Sequence, residues 1–352
     1  MGNSMNDMYL KTIPQRYGAF CTEYPDLSLC RIVLQEKGLY RIICPTGMRQ
    51  AQVSGRFQYN AESGSDYPAV GDYVMTELNG TDTAVIHMVL PRKSVFVRRA
   101  AGSTKTEQVV AANVDTVFLC MALNNDFNLR RLERYLSVAW DSGAIPVVLL
   151  TKADLCHDLP EKLALVESVA AGVDIITVTA MESGGCRAIG PYLTEGKTLA
   201  FVGSSGVGKS TLINTLLGDD RLKTNGLRDD DKGRHTTTHR ELIDLPGGAC
   251  VIDTPGMREL GMWDAGEGIS GAFADIEELA SKCRFNDCSH GSEPGCAIRA
   301  AIGRGELSEA RFLSWQKLRA ENAYSADAEG YLAAKEKKFK KIAKYNKSNH
   351  KR

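Results

Sequence analysis

The chain has 352 residues, 43% of them hydrophobic and 24% charged, a balance that suits a globular protein of two or three domains and excludes a disordered or fibrous one. No apolar run approaches the roughly 18 residues a membrane span needs, and the opening residues lack the charged-then-apolar shape of a secretory signal, so a cytoplasmic location without membrane contact is expected. The formal net charge of zero hides an asymmetry: residues 335–352 carry nine basic side chains and one acidic one, a net of +8, which leaves −8 on the other 334 residues and suggests an anionic partner met at one end.

Residues 1–25 read as an N-terminal extension. From about Leu27 to Pro91 short alternating runs ("LYRIICP", "RQAQVSGRF", "GDYVMTEL", "TAVIHMVL") are separated by Gly, Pro, Asn and Asp. Strand signals this close together, without helical periodicity between them, predict a small all-β barrel over residues 26–97, OB-like in preference to SH3-like.

Past Asp115 the texture changes. "TVFLCMAL" is a continuous apolar run, and it is followed by the helix-like "LRRLERYLSVAWDSG", by "IPVVLL", by a second helix from about Pro160 and by "DIITVTA". "TLAFVG", a helix after Gly208 and "ACVIDTPG" extend the alternation. Apolar strands alternating with amphipathic helices predict a parallel sheet covered on both faces, over residues 98–264. Residues 265–334 read as a helical domain around a Cys/His knot, and 335–352 as a basic helix or tail.

"GSSGVGKS", Gly203 to Ser210, satisfies the phosphate-loop pattern G-x-x-x-x-G-K-[ST] between a predicted strand and a predicted helix. There the backbone N–H groups of Gly203, Ser204, Ser205, Gly206, Val207 and Gly208 can face phosphates at a helix N-terminus, next to Thr211. Lys209 supplies a cation for the β and γ phosphates and Ser210 a hydroxyl for Mg²⁺. Asp253 and Gly256, in the "DTPG" that ends an apolar strand, stand where a metal-holding carboxylate and a γ-phosphate-sensing N–H belong; alone, that tetrapeptide would read as a turn.

"TKAD", Thr151 to Asp154, comes before the phosphate loop instead of after it. The Asp154 carboxylate can accept from guanine N1–H and the 2-amino group, which adenine lacks. The Lys152 stem can lie along the base, and Ala180 in "VTA" offers its N–H to guanine O6. The other reading is a surface turn with a solvated Lys and Asp. If both motifs are real the nucleotide domain is circularly permuted, which leaves its core contacts unchanged.

Cys283, Cys288, His290 and Cys296 place three thiols and an imidazole within fourteen residues, the ligand count of one closed, structural Zn²⁺ site. Buried free thiols are the alternative. In the tail, Phe339, Ile342 and Tyr345 fall at helical spacing among lysines, so it can neutralise phosphates as well as remain solvated.

The order TKAD, VTA, GSSGVGKS, "GRHTTT", DTPG, between a barrel and a Cys/His knot, resembles the bacterial ribosome small subunit-dependent GTPase A family over nearly the whole chain. The resemblance implies a monomeric, ribosome-stimulated GTPase that uses GTP and GDP with Mg²⁺, holds one zinc, and acts with the small ribosomal subunit and its rRNA in late maturation. It favours Thr237 as the residue that closes over Mg²⁺ and the γ-phosphate, and His235 as the group that orients the attacking water. Met257 occupies the position where many small GTPases carry a water-orienting Gln. Thr151 departs from the family's usual Asn, although a hydroxyl can replace one of the amide's contacts. A permuted GTPase of the large subunit, or an RNA-binding module with a static nucleotide site, are the rival readings.

Overall fold

A computed structural model describes residues 14–36, 38–78, 83–99, 107–179, 184–218, 240–253, 268–291 and 293–326. After a short helix α1 (Gly18–Glu23), five strands form the N-terminal barrel: β1 (Ser28–Gln35), β2 (Tyr40–Cys44), β3 (Gly47–Val53), β4 (Tyr73–Glu77) and β5 (Thr83–Val89). Helix α2 (Gly55–Asn60) leaves β3 behind an N-cap, with Ser54 Oγ accepting from the Phe57 N–H at 3.0 Å. The strand order β1-β2-β3-β5-β4 closes through β1–β4 pairing, with β3 and β5 parallel and the other pairs antiparallel. This closed five-stranded arrangement is OB-like, as the run spacing predicted. Alternation puts Cys30, Ile32, Ile42, Cys44, Val74, Ala84 and Ile86 inside, all fully buried.

A hairpin of β6 (Val95–Arg99) and β7 (Glu107–Ala112) then leads into the α/β domain. Its strands are β8 (Thr116–Ala122), β9 (Ile145–Thr151), β10 (Asp174–Val178), β11 (Thr198–Val202), β12 (Arg240–Asp244) and β13 (Cys250–Asp253), and its helices α3 (Leu129–Ser142), α4 (Leu159–Glu167) and α5 (Lys209–Leu217). Strands β10-β9-β8-β11-β13 run parallel and β12 is antiparallel to β13. Every residue of β8 and β11 is buried, which is why both read as uninterrupted apolar runs. One face packs on α3, the other on Leu212 and Ile213 of α5. Each such aliphatic side chain contributes about 1.5–3 kcal/mol when fully buried.

Two elements differ from the sequence reading. The sequence reading places no hairpin at β6–β7, and β12 lies hidden at the end of the polar "GRHTTTHREL". Strand β12 pairs antiparallel with β1 (Leu34↔Glu241, Gln35↔Arg240), so barrel and α/β domain share one eleven-stranded sheet. The buried Arg31 of β1 reinforces this joint, donating to Thr198 Oγ1 at 2.6 Å and lying over the Tyr73 ring.

Helices α6 (Gly268–Ala272), α7 (Ala274–Ser281), α8 (Ala297–Gly303) and α9 (Glu309–Ala326) make the C-terminal unit. It has no core of its own: Ile269, Phe273, Ile276, Ile298, Phe312 and Trp315 join the cluster that contains Leu132 and Leu136 of α3. Gly268 permits the approach, since a Cβ there would come within 1.9 Å of the Ser137 carbonyl. Across the same seam the fully buried Glu133 accepts from Arg130 at 2.6 Å and from Arg311 at 2.9 Å, and Arg311 also pairs with Asp275 at 2.8 Å.

Candidate functional site

The carboxyl ends of β9, β11 and β13 lie at one edge of the parallel sheet, where loops leave the strands and ligands of such folds collect. The phosphate loop runs from Gly203 to the N-terminus of α5. A Cβ on Gly203 would meet the Cys120 carbonyl at 2.5 Å, so glycine is required where the loop crosses the end of β8. Gly206 and Gly208 have φ of 78° and 102°, the left-handed turns that bring the chain round to α5. Ser205 and Gly206 are exposed, whereas Val207 is buried in the sheet-face cluster and anchors the loop from beneath.

Lys209, 8% exposed, donates from Nζ to the carbonyls of Gly203 (2.5 Å) and Ser204 (2.6 Å). Its ammonium is thus held inside the curve of the loop. Ser210 and Thr211 follow in the first turn of α5, both half-buried. Asp253 ends β13, and the register Ala200↔Ile252 sets it beside the end of β11.

The TKAD segment meets this loop directly. Thr151, the last residue of β9 and 5% exposed, donates from Oγ1 to the Val207 carbonyl at 2.7 Å. Its own carbonyl accepts from the Leu123 N–H at 3.0 Å. Lys152 then adopts φ 57° and ψ 41°, and this left-handed residue turns the chain so that Asp154 stands exposed in the 3-10 turn Ala153–Leu155. Two motifs in reversed sequence order are therefore in direct contact. Ala180, His235, Thr237, Gly256 and Met257 lie outside the described residues, as do the segment 219–239 and the basic tail.

Sequence reasoning passed over Asn124–Asn128. This turn after β8 abuts the phosphate loop, with Ser204 Oγ donating to Asp126 Oδ2 at 2.6 Å. Its one signal was position, at the carboxyl end of an apolar strand.

The four residues of the Cys/His knot converge. Their ligand atoms all lie within 4.8 Å of one another. Cys283 Sγ is 3.6 Å from His290 Nδ1 and 4.0 Å from Cys296 Sγ, and Cys296 Sγ is 3.6 Å from the same nitrogen. Tetrahedral zinc, with Zn–S about 2.3 Å and Zn–N about 2.0 Å, separates its ligands by about 3.8 Å (S to S) and about 3.5 Å (S to N). The set fits such an ion. Burial tends to raise the Cys283 thiol, yet the backbone N–H groups of Ala297 and Ile298, at the start of α8, hold it below its ordinary value. Burial lowers His290, which keeps the imidazole neutral for ligation. His290 takes φ 57°, and its carbonyl accepts from Arg299 Nε at 2.8 Å; Phe312 and Trp315 pack its ring. Among the described residues no helix is long and apolar enough to cross a membrane.

A family model described as RsgA GTPase matches residues 89–263. Among curated relatives, the chain is 51% identical over 316 residues to the small ribosomal subunit biogenesis GTPase RsgA 2 of Lactiplantibacillus plantarum, covering 88% of this chain and 89% of that protein. It is 47% identical to the small ribosomal subunit biogenesis GTPase RsgA of Opitutus terrae, over 84% of both chains. Among solved structures it resembles YjeQ from Thermotoga maritima (TM-score 0.62, 24% identity, covering 84% of this chain and 99% of that one). It also resembles YloQ, described as a circularly permuted GTPase (TM-score 0.58, 24% identity, 84% and 95% covered). At that identity the two structures speak for the fold alone.

Proposed function

As the chain belongs to the RsgA GTPase family, we propose that it binds the small ribosomal subunit and hydrolyses GTP there, at a rate the subunit stimulates, during late maturation of that subunit. The observation that carries this reading is the Thr151–Val207 hydrogen bond at 2.7 Å, which supports one site built from both motifs. In it Asp154 reads guanine with Lys152 along the base and Ala180 at O6, while the backbone from Gly203 to Gly208 and the side chains of Lys209 and Thr211 hold the phosphates. Ser210, Asp253 and Thr237 hold Mg²⁺, and Gly256 meets the γ-phosphate. With Met257 unable to orient water, His235 does so.

The domains divide the work. Residues 26–97 and 265–334 contact rRNA on either side of a GTPase domain over 98–264, the Cys283, Cys288, His290 and Cys296 set holds one structural zinc, and the tail 335–352 neutralises RNA phosphates. The chain acts as a cytoplasmic monomer. Turnover of GTP and ATP by the wild type and by Lys209→Ala tests the enzyme: GTP should be hydrolysed in preference to ATP and the variant should bind neither. Undiminished GTP turnover by the variant would overturn the assignment.

A further inference from the structure

The turn Asn124–Asn128 takes no part in the nucleotide contacts proposed above, yet hydrogen bonds within it and to its neighbours hold it in place. The Asp126 N–H donates to Asn124 Oδ1 at 3.1 Å and the Asn128 N–H to Met121 Sδ at 3.3 Å. Asn128 Oδ1 accepts from the Arg131 N–H at 3.1 Å as the N-cap of α3. Lys162 Nζ donates to the Leu123 carbonyl at 3.1 Å, and Leu123 in turn is bonded to Thr151. This fixed turn holds one carboxylate against the phosphate loop. Asp126 Oδ2 accepts from Ser204 Oγ at 2.6 Å, and Oδ1 pairs with Arg131 NH2 at 2.8 Å, a guanidinium that also donates to the Asp126 carbonyl.

A carboxylate beside a loop that must receive a triphosphate is unfavourable unless its charge is balanced. Arg131 balances it. Ser204 then keeps a charge-assisted hydrogen bond, stronger than one to a neutral acceptor, with no net charge added to the site. The pair is not needed to cap α3, because Asn128 already does so. A half-buried ion pair by itself would contribute modestly, but this one reaches a phosphate-loop side chain 78 residues away.

We propose that Asp126 and Arg131 form a charge-balanced clamp that positions the phosphate loop for a nucleoside triphosphate, Asp126 by holding Ser204 and Arg131 by cancelling the charge of Asp126. This rests on the nucleotide site proposed above. Both are positioning residues, acting through the loop.

Equilibrium binding of GTP to the full chain at low and moderate ionic strength, with thermal melting as a folding control, tests it. Asp126→Ala and Ser204→Ala should each weaken GTP binding about tenfold, and the double variant should be no worse than either, because both remove the same bond. Arg131→Gln should weaken binding most at low salt, and adding Asp126→Asn should restore it to within about twofold, since that change removes the exposed charge and keeps an acceptor for Ser204. A packing role for Arg131 would not be rescued in this way. Wild-type affinity in Asp126→Ala, or failure of Asp126→Asn to rescue Arg131→Gln, would overturn the clamp alone. Absence of GTP binding by the wild type would remove the nucleotide site and the clamp with it.

Discussion

The Thr151 hydroxyl donates to the Val207 carbonyl at 2.7 Å, a bond between residues 56 positions apart that ties the end of β9 to the floor of the phosphate loop. Thr151→Val keeps the shape and leaves the buried carbonyl without its donor, which costs about 1–3 kcal/mol. GTP affinity should fall roughly tenfold, whereas Thr151→Asn, whose amide can also donate, should stay near wild type. Unchanged affinity in Thr151→Val, read by equilibrium titration, would mean that this bond does not shape the site.

Metal removal should act beyond the knot. Because Phe312 and Trp315 both flank His290 and belong to the cluster containing Leu132 of α3, chelation should lower the melting temperature of the whole chain and expose Trp315 fluorescence. Metal analysis should find about one zinc per chain by the ligand count, and Cys288→Ser should lose it. A metal-free wild type with undiminished melting temperature would argue for a thiol cluster instead.

Asp115 supplies a pH dependence. Burial tends to raise its pKa, but Lys93 at 2.6 Å, the Thr198 N–H at 3.0 Å and Lys197 at 3.2 Å together hold it below the ordinary carboxylate value. A carboxyl whose pKa is depressed by folding stabilises fully above its unfolded value, about 3.9, and loses that contribution as pH falls through the folded value. Asp115→Asn should therefore cost about 1–2 kcal/mol at neutral pH, a difference constant from about pH 5 to 8 that shrinks below about pH 4. A difference that grows on acidification, measured by denaturant titration, would mean that folding raises the Asp115 pKa instead of lowering it.

His235→Ala should leave binding of GTP and of the small subunit near wild type while removing most of the stimulated rate, because a water-orienting group acts in the transition state more than in the ground state. Full stimulation in the variant would move the catalytic group elsewhere; lost GTP binding would make the histidine a structural part of the site.

The parts legible from sequence were those whose signal is local. The phosphate loop declares itself through glycines that a turn requires, β8 and β11 through apolar runs, and the Cys/His knot through four ligands in fourteen residues. The parts that were not legible depend on distant partners. Strand β12 is short and begins in a polar run, and what fixes it is pairing to β13 on one side and to β1, some two hundred residues earlier, on the other. Asp126 looks like any turn aspartate until Ser204 folds against it. Likewise the merging of the C-terminal helices with the α3 core follows from close approach at Gly268, which no periodicity announces.

Whether the small ribosomal subunit switches this GTPase on is read from steady-state GTP turnover of the full chain alone, with purified small subunits and with purified large subunits. Small subunits should raise turnover by about tenfold or more, as expected when docking orders a catalytic group that is otherwise seldom in position, and large subunits should leave it at the level of the chain alone. Equal rates in all three reactions, or stimulation by large subunits only, would mean that the small subunit is not the activator.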